Sequence, residues 1–489
     1  MGDATAPRTS LKVAVHPARA STTRVIPTAT NDASLTTSPP PAADCRRYRP
    51  GKIDIFFMGI SIVMCGQYMS WNIGLTAGFY SYLICVVIMA LAYVLFCCCV
   101  AEVTGALPFA GGSYGLARCT LGFFPAFLIG CAEALEYIAS VAVVAICVCN
   151  IIVQAAPSME PYRPLLWFVV FYLPTTVIQC IGGAPFWLFS TGISIFQTVL
   201  LLVYCFGVLG DTDYATNAIG DSSQLYVNGA QGFMSVFPFG AWFFLGVEAL
   251  NLASDDVKTP KTTIPIAQIA CILTLVFTGM FMLFTTVSLP VEGGIPAIAA
   301  ALAPLDDGFM RIFGIDPALA TLLTLPSQYA GAYGFSWASA KLVHAMGESR
   351  LLPPWLATTS SRFHTPHFAI VTISVLGYGI CLLIHFVPSV SGYLLPLCLL
   401  CAFTSYSGQC IGYISLRINY PVTKQSAFKN PFGIVGAAFA LVVWLVAIIG
   451  VVGFQGHYAA ELGLFCGLLV VLGIYYVVVA KHRQIMSEE

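Results

Sequence analysis

Twelve runs of about 20 mostly apolar residues, with little soluble sequence between them, constrain this chain more than anything else in it. They lie near 53–78, 80–104, 121–153, 164–183, 186–209, 233–254, 263–288, 318–346, 367–387, 389–416, 432–453 and 459–480. Each is long enough to cross a bilayer as a helix, so the expected fold class is an all-α integral membrane protein with twelve transmembrane helices. Of 489 residues, 58% are apolar and 9% charged, against about 25% charged in a soluble domain. That balance excludes an ordinary cytosolic enzyme and makes membrane lipid the surrounding partner. With 21 Lys plus Arg against 22 Asp plus Glu, the net charge of −1 supplies no basic face for phosphates, which excludes nucleic acid as a partner.

Residues 1–50 are rich in Ala, Pro, Ser and Thr and poor in large apolar side chains, so they read as a disordered cytoplasmic tail. Residues 51–480 form the membrane domain and 481–489 a short second tail. All but Cys45 and Cys119 of the 18 cysteines fall in apolar runs and read as small buried fillers, and no metal-ligand spacing or cofactor motif is present. With the N-terminus inside, the inner stretches collect Arg46, Arg47, Lys52, Arg118, Lys258, Lys341, Arg417 and Lys481, while only Arg163 and Arg311 fall outside. The Lys/Arg bias therefore places both termini in the cytoplasm. No membrane address is legible, so the plasma membrane is a default and an internal membrane fits as well.

Two spans are interrupted at mid-depth. The first carries CGQYMSWNIGLTAG (Cys65 to Gly78) and the sixth FPFGAWFFLGVEALN (Phe237 to Asn251). Each opens a five-helix half, 51–210 and 230–417, with 430–480 left for two further helices. Paired interruptions at corresponding positions point to discontinuous helices around a binding site in an inverted repeat. The blander reading is close packing, since Gly74 and Gly78 also form a small-xxx-small face.

The third span holds Glu133 and Glu136, three residues apart and on one helix face. A charge at the centre of a span costs about 2.5–3.5 kcal/mol on insertion scales, and no Lys or Arg lies at comparable depth. The missing cation is either a transported one or a proton, because adjacent carboxylates oppose each other's ionisation. Glu102, near the inner end of the second span, and Glu248, just beyond the sixth-span break, are candidates for gating or proton coupling with Glu133, their bland alternative being hydrogen bonds to free backbone N–H groups.

Three stretches carry a resemblance. AEVTGALPFAGGSYGLAR (Ala101 to Arg118), FLGVEALNLASDDVKTPKTTIPIA (Phe244 to Ala267) and AKLVHAMGESRLLPPWLA (Ala340 to Ala357) resemble the segments joining helices two to three, six to seven and eight to nine in the amino acid-polyamine-organocation superfamily. Gly347, Glu348 and Ser349 depart from that family's last segment. The resemblance implies the leucine-transporter-type fold, a five-plus-five inverted repeat with discontinuous helices one and six, acting as a secondary carrier by alternating access. It implies a substrate site built from Ser70, Trp71, Asn72, Gly74, Glu136, Tyr137, Trp242, Phe244 and Gly246. Trp71 and Asn72 replace the small residues with which relatives hold a carboxylate, which turns the expected substrate toward a small amine. The helix-one departure and the helix-three acids look most similar to the ethanolamine permease branch. An acid at Glu136 and an amide at Asn72 would suit the two ends of ethanolamine, and Trp242 would offer a face to a cation.

General permeation of alpha-amino acids is the runner-up, and a non-transporting nutrient sensor of the same fold the alternative from another class. No selectivity-filter sequence supports a channel, and no nucleophile-base pair supports an enzyme. The coupling ion stays open between a proton and sodium.

Overall fold

The computed structural model describes residues 48–456 and 458–485, all in helices and the turns between them, with no strand among the described residues. The expected tail at 1–50 lies outside the described residues up to position 47. Among the described residues, ten helices are long and apolar enough to cross a membrane, or up to twelve if each of two bent pairs is one span. In chain order they are α1 (Lys52–Tyr68) and α2 (Trp71–Ala77), the first bent pair; α3 (Phe79–Ala106); α4 (Gly112–Leu121); α5 (Phe123–Ala155); α6 (Pro157–Ile181); α7 (Gly183–Asp211); α8 (Gly229–Ala253); and α9 (Pro260–Val287). Then follow the short α10 (Gly294–Ala300), the second bent pair α11 (Asp306–Phe313) and α12 (Pro317–Glu348), then α13 (His367–Phe386), α14 (Pro388–Asn419), α15 (Gly433–Phe454) and α16 (Ala459–His482). The membrane-length helices begin and end within about a turn of the apolar runs in the sequence, except that α6 begins about two turns earlier, at Pro157.

Burial sorts the helices into an inner and an outer set. In its most apolar window α8 is 78% buried and α14 72%, whereas α16 is 6% buried. Outward-facing Val375, Phe386, Val435 and Val470 are each more than 60% exposed. An apolar surface this extensive belongs in hydrocarbon, where only structures that satisfy their own backbone hydrogen bonds can span. The chain is an integral, multi-pass membrane protein. Cysteine 466, on α16, is exposed rather than a buried filler, because that helix shows most of its circumference to lipid.

Both interrupted segments are bent or tightened. After α1 the chain passes through extended Met69 (φ −147°, ψ 160°) and left-handed Ser70 (φ 73°), then re-enters a tight helix at Trp71, with a bend of 41°. A non-glycine residue in that region costs on the order of 1–3 kcal/mol, which the surroundings must impose. In α8, tight turns over Phe237–Phe243 end at Phe244, and Gly246 (φ 96°) begins a second tight segment, Val247–Ala253. A Cβ at Gly246 would lie 2.6 Å from Ile62 and 2.7 Å from Phe335, and one at Gly66 would collide with the carbonyl oxygen of Trp242. Backbone meets backbone at Gly66 and side chains crowd Gly246, so both positions suit glycine.

Polar side chains at and around the breaks bond to backbone carbonyls. Gln328 donates to the Cys65 carbonyl at 2.9 Å, Gln67 to that of Leu275 at 2.8 Å and Asn251 to that of Glu248 at 2.9 Å. The Thr104 hydroxyl closes the set by donating to Asn251 Oδ1 at 2.8 Å. Irregular backbone at membrane depth needs such internal partners.

Candidate functional site

Helix α5 sets Glu133, Glu136 and Tyr137 on one face by its 3.6-residue period, and that face meets α8 just after its break and the middle of α14. The Tyr137 hydroxyl lies 2.9 Å from Glu133 Oε1 and 2.9 Å from Glu248 Oε1. Tyr406, from α14, lies 2.7 Å from Glu136 Oε1 and 3.1 Å from Glu248 Oε1. Ser113 of α4 donates to Glu133 Oε2. Glu136 and Glu248 each keep a second oxygen that is buried and has no hydrogen-bond partner. None of the three acids is more than 2% exposed.

Among the described residues no lysine, arginine or histidine is paired with any of these acids. Three buried carboxylates together, each costing several kcal/mol to desolvate, call for protons or for a cation from outside the chain. Aromatic rings wall the group: Tyr93 meets Tyr406 at 5.8 Å and Phe244 at 5.5 Å, and Phe335 meets Tyr137 at 5.9 Å. Such rings exclude water and present electron-rich faces to a cation.

Of the sequence-predicted residues, the structure brings together Glu133, Glu136, Tyr137 and Glu248, with Phe244 and Gly246 beside them. Trp71, Asn72 and Gly74 have other partners. The Asn72 amide is 2% exposed and donates to the carbonyls of Ile298, Ala299 and Ala301 at 2.8, 3.2 and 2.8 Å, closing the C-terminal end of α10. It therefore has no hydrogen left for a substrate hydroxyl in this conformation. Gly74 admits the Tyr82 ring, which a Cβ would strike. Trp71 packs on Phe243 with ring centres 5.9 Å apart. Ser70 is partly accessible, and Trp242 is 6% exposed with its buried indole N–H unpartnered.

Glu102 is the clearest departure from the sequence reading of free backbone N–H partners. Its carboxylate pairs with Arg417 at 2.8 Å and accepts from Tyr413, both on α14. Further polar links join segments that the sequence assigns to the cytoplasmic face. Lys341 reaches Asp256 at 2.9 Å, and Arg118 donates to Ser349 at 3.1 Å, so one of the departures from the family segment still holds an interhelical contact. Burial raises the carboxyl of neighbouring Asp255 above its ordinary range, partly offset by Lys341.

Sequence reasoning missed Tyr406 and Ser113. The signal for Tyr406 was the polar run Thr404 to Gln409 inside an otherwise apolar span; Ser113 had none beyond its place in a Gly-Gly-Ser-Tyr turn.

The amino acid permease family model matches residues 59–489. Among characterised and uncharacterised relatives, an uncharacterized transporter of Rhizobium meliloti is 26% identical over 333 residues, covering 66% of this chain and 70% of that protein. A methylthioribose transporter of Bacillus subtilis is 25% identical over 366 residues, 71% of this chain and 75% of that one. The S-adenosylmethionine permease of Candida albicans is 23% identical over 309 residues, 59% of this chain, which spans about half of that longer protein. A body of apolar, membrane-length helices, matched by that model over most of its length, identifies the chain as a member of the amino acid permease family and as a membrane transporter of amino acids or other small organic molecules.

Proposed function

We propose that this chain is a secondary active transporter that moves a small organic amine, ethanolamine-like in size and charge, by alternating access around the site between α5, α8 and α14. The observation that carries this reading is the set of three buried acids without a basic partner among the described residues: a carrier of cations needs fixed negative charge at mid-membrane that no resident cation already neutralises. In this reading Glu136 and Glu248 hold the ammonium with their unpartnered oxygens, and Trp242 and Phe244 supply the aromatic wall. Residues 51–210 and 230–417 act as two inverted five-helix repeats, with α15 and α16 peripheral and both termini cytoplasmic.

The names of the relatives span amino acids, S-adenosylmethionine and methylthioribose, so membership of the family leaves the substrate open. A second reading, transport of alpha-amino acids, is favoured by the break at Met69 and Ser70, where backbone N–H groups beside a partly accessible serine suit a carboxylate. The test is uptake of labelled ethanolamine into proteoliposomes, competed with alanine, arginine and choline. Competition by choline or unlabelled ethanolamine but not by alanine supports the amine reading. Competition by alanine moves the substrate to amino acids, and saturable binding without flux makes the protein a sensor.

A further inference from the structure

The contacts that join Glu133, Glu136 and Glu248 through Tyr137 and Tyr406 can be balanced hydrogen by hydrogen. Two tyrosine oxygens make four contacts of 2.7–3.1 Å with carboxylate oxygens. A hydroxyl carries one hydrogen and an ionised carboxylate none. Two of the four contacts therefore have no hydrogen unless carboxyl groups supply it, and lone pairs facing each other in so dry a site are poorly screened. The count is two carboxyl protons whichever acid keeps the charge.

The arrangement that asks least of each atom leaves Glu248 ionised. Its Oε1 is the oxygen both tyrosines reach, and it then accepts from both. Glu133 and Glu136 each donate to one tyrosine. Glu136 Oε2 is fully buried with no hydrogen-bond partner, which by itself does not choose between Glu136 and Glu248, so the assignment rests on the shared Oε1. Glu248 Oε2 is bare as well, and on the charged member of the group it is the open position for an incoming cation. The other titratable groups facing the acids, Tyr93 and Cys97 of α3 and Cys398 and Cys401 of α14, are not basic and supply no alternative charge. At the far end Ser113, bonded to Glu133, also lines a crevice of about 10 Å³ with Thr104, Asn251 and Gln409. That is room for about one water.

We propose that the empty site stores two protons, one on Glu133 and one on Glu136, hydrogen-bonded through Tyr137 and Tyr406 to a single charged Glu248, and that an organic ammonium binding there displaces the Glu136 proton. The balance is simple. Before binding there are two protons and one carboxylate charge; afterwards there are one proton, two carboxylates and one ammonium, with one proton released to water. The displacement half rests on the amine reading above, while the stored protons do not.

Infrared difference spectra of the purified, ligand-free full chain at neutral pH test the storage. Wild type minus Glu133→Gln and wild type minus Glu136→Gln should each show one lost protonated-carboxyl band, and wild type minus Glu248→Gln a lost ionised carboxylate instead. Tyr406→Phe should shift the Glu136 band, which keeps the test alive if a glutamine variant does not fold. Loss of only ionised carboxylate in the Glu133 and Glu136 variants, or an unmoved band in Tyr406→Phe, overturns the proposal. For the displacement, ethanolamine titrated into weakly buffered protein should release one proton per molecule bound, so affinity rises with pH by up to ~tenfold per pH unit. Binding without proton release overturns that half. Failure of ethanolamine to bind sinks the amine reading and leaves the infrared result to decide the stored protons.

Discussion

Buried glutamates occur in two regions of this protein, and they differ in company. At the C-terminal end of α3, Glu102 has a guanidinium 2.8 Å away and a tyrosine hydroxyl donating to it. On α5 and α8, Glu133, Glu136 and Glu248 have hydroxyl groups and rings but, among the described residues, no resident cation. A buried acid with its own counter-charge is a latch whose energy goes into holding helices together. A buried acid without one is a vacancy for mobile charge, and its energy is available to bind something that comes and goes. The same side chain thus reads as architecture in one place and as function in the other.

Substitutions should separate the two regions, and the largest effect is expected at the centre. Glu136→Gln should weaken binding of a cationic substrate by about 2–5 kcal/mol, roughly 30-fold or more, the usual loss on truncating a buried charge contact. Its thermal unfolding in detergent should change little. Parallel binding and melting measurements check this, and a large fall in melting temperature with affinity intact would reverse the assignment. Arg417→Ala should behave the opposite way. It strands the Glu102 charge and should cost about 1–3 kcal/mol of stability, discounted because Arg417 is itself 32% exposed. The double variant with Glu102→Gln should recover most of that loss, and transport by the folded fraction should persist.

Smaller effects probe the edges of the comparison. Trp242→Ala should cost about 0.5–2 kcal/mol of amine affinity if its ring faces the cation, and wild-type affinity would make it a packing residue. Asn72→Ala should cost about 1 kcal/mol of stability, the price of a lost helix-end contact, with no change in substrate preference. A switch in preference between amines and amino acids in that variant would return Asn72 to the site.

Much of this was legible in the sequence because it depends on local pattern. Apolar runs of bilayer length place the helices, Gly and Pro inside two of them mark the breaks, and the three-residue spacing of Glu133 and Glu136 puts both on one face. What the sequence withheld are contacts between distant parts of the chain. Nothing local says that Tyr406 reaches two acids on two other helices, or that Arg417, counted as one charge of an inner loop, neutralises Glu102 more than 300 residues earlier. Asn72 shows the same: a polar side chain in a break suits a ligand and a neighbouring helix end equally well, and the contact of its N–H groups with the end of α10 is not legible locally.

The central claim is that the unpaired acids, and not the paired one, hold the transported cation. Initial rates of labelled ethanolamine uptake into proteoliposomes, compared for wild type, Glu136→Gln and Glu102→Gln at equal amounts of folded protein, test it most directly. The account predicts uptake by wild type, its loss in Glu136→Gln and its survival in Glu102→Gln. Equal uptake by wild type and Glu136→Gln, or loss confined to Glu102→Gln, would contradict it.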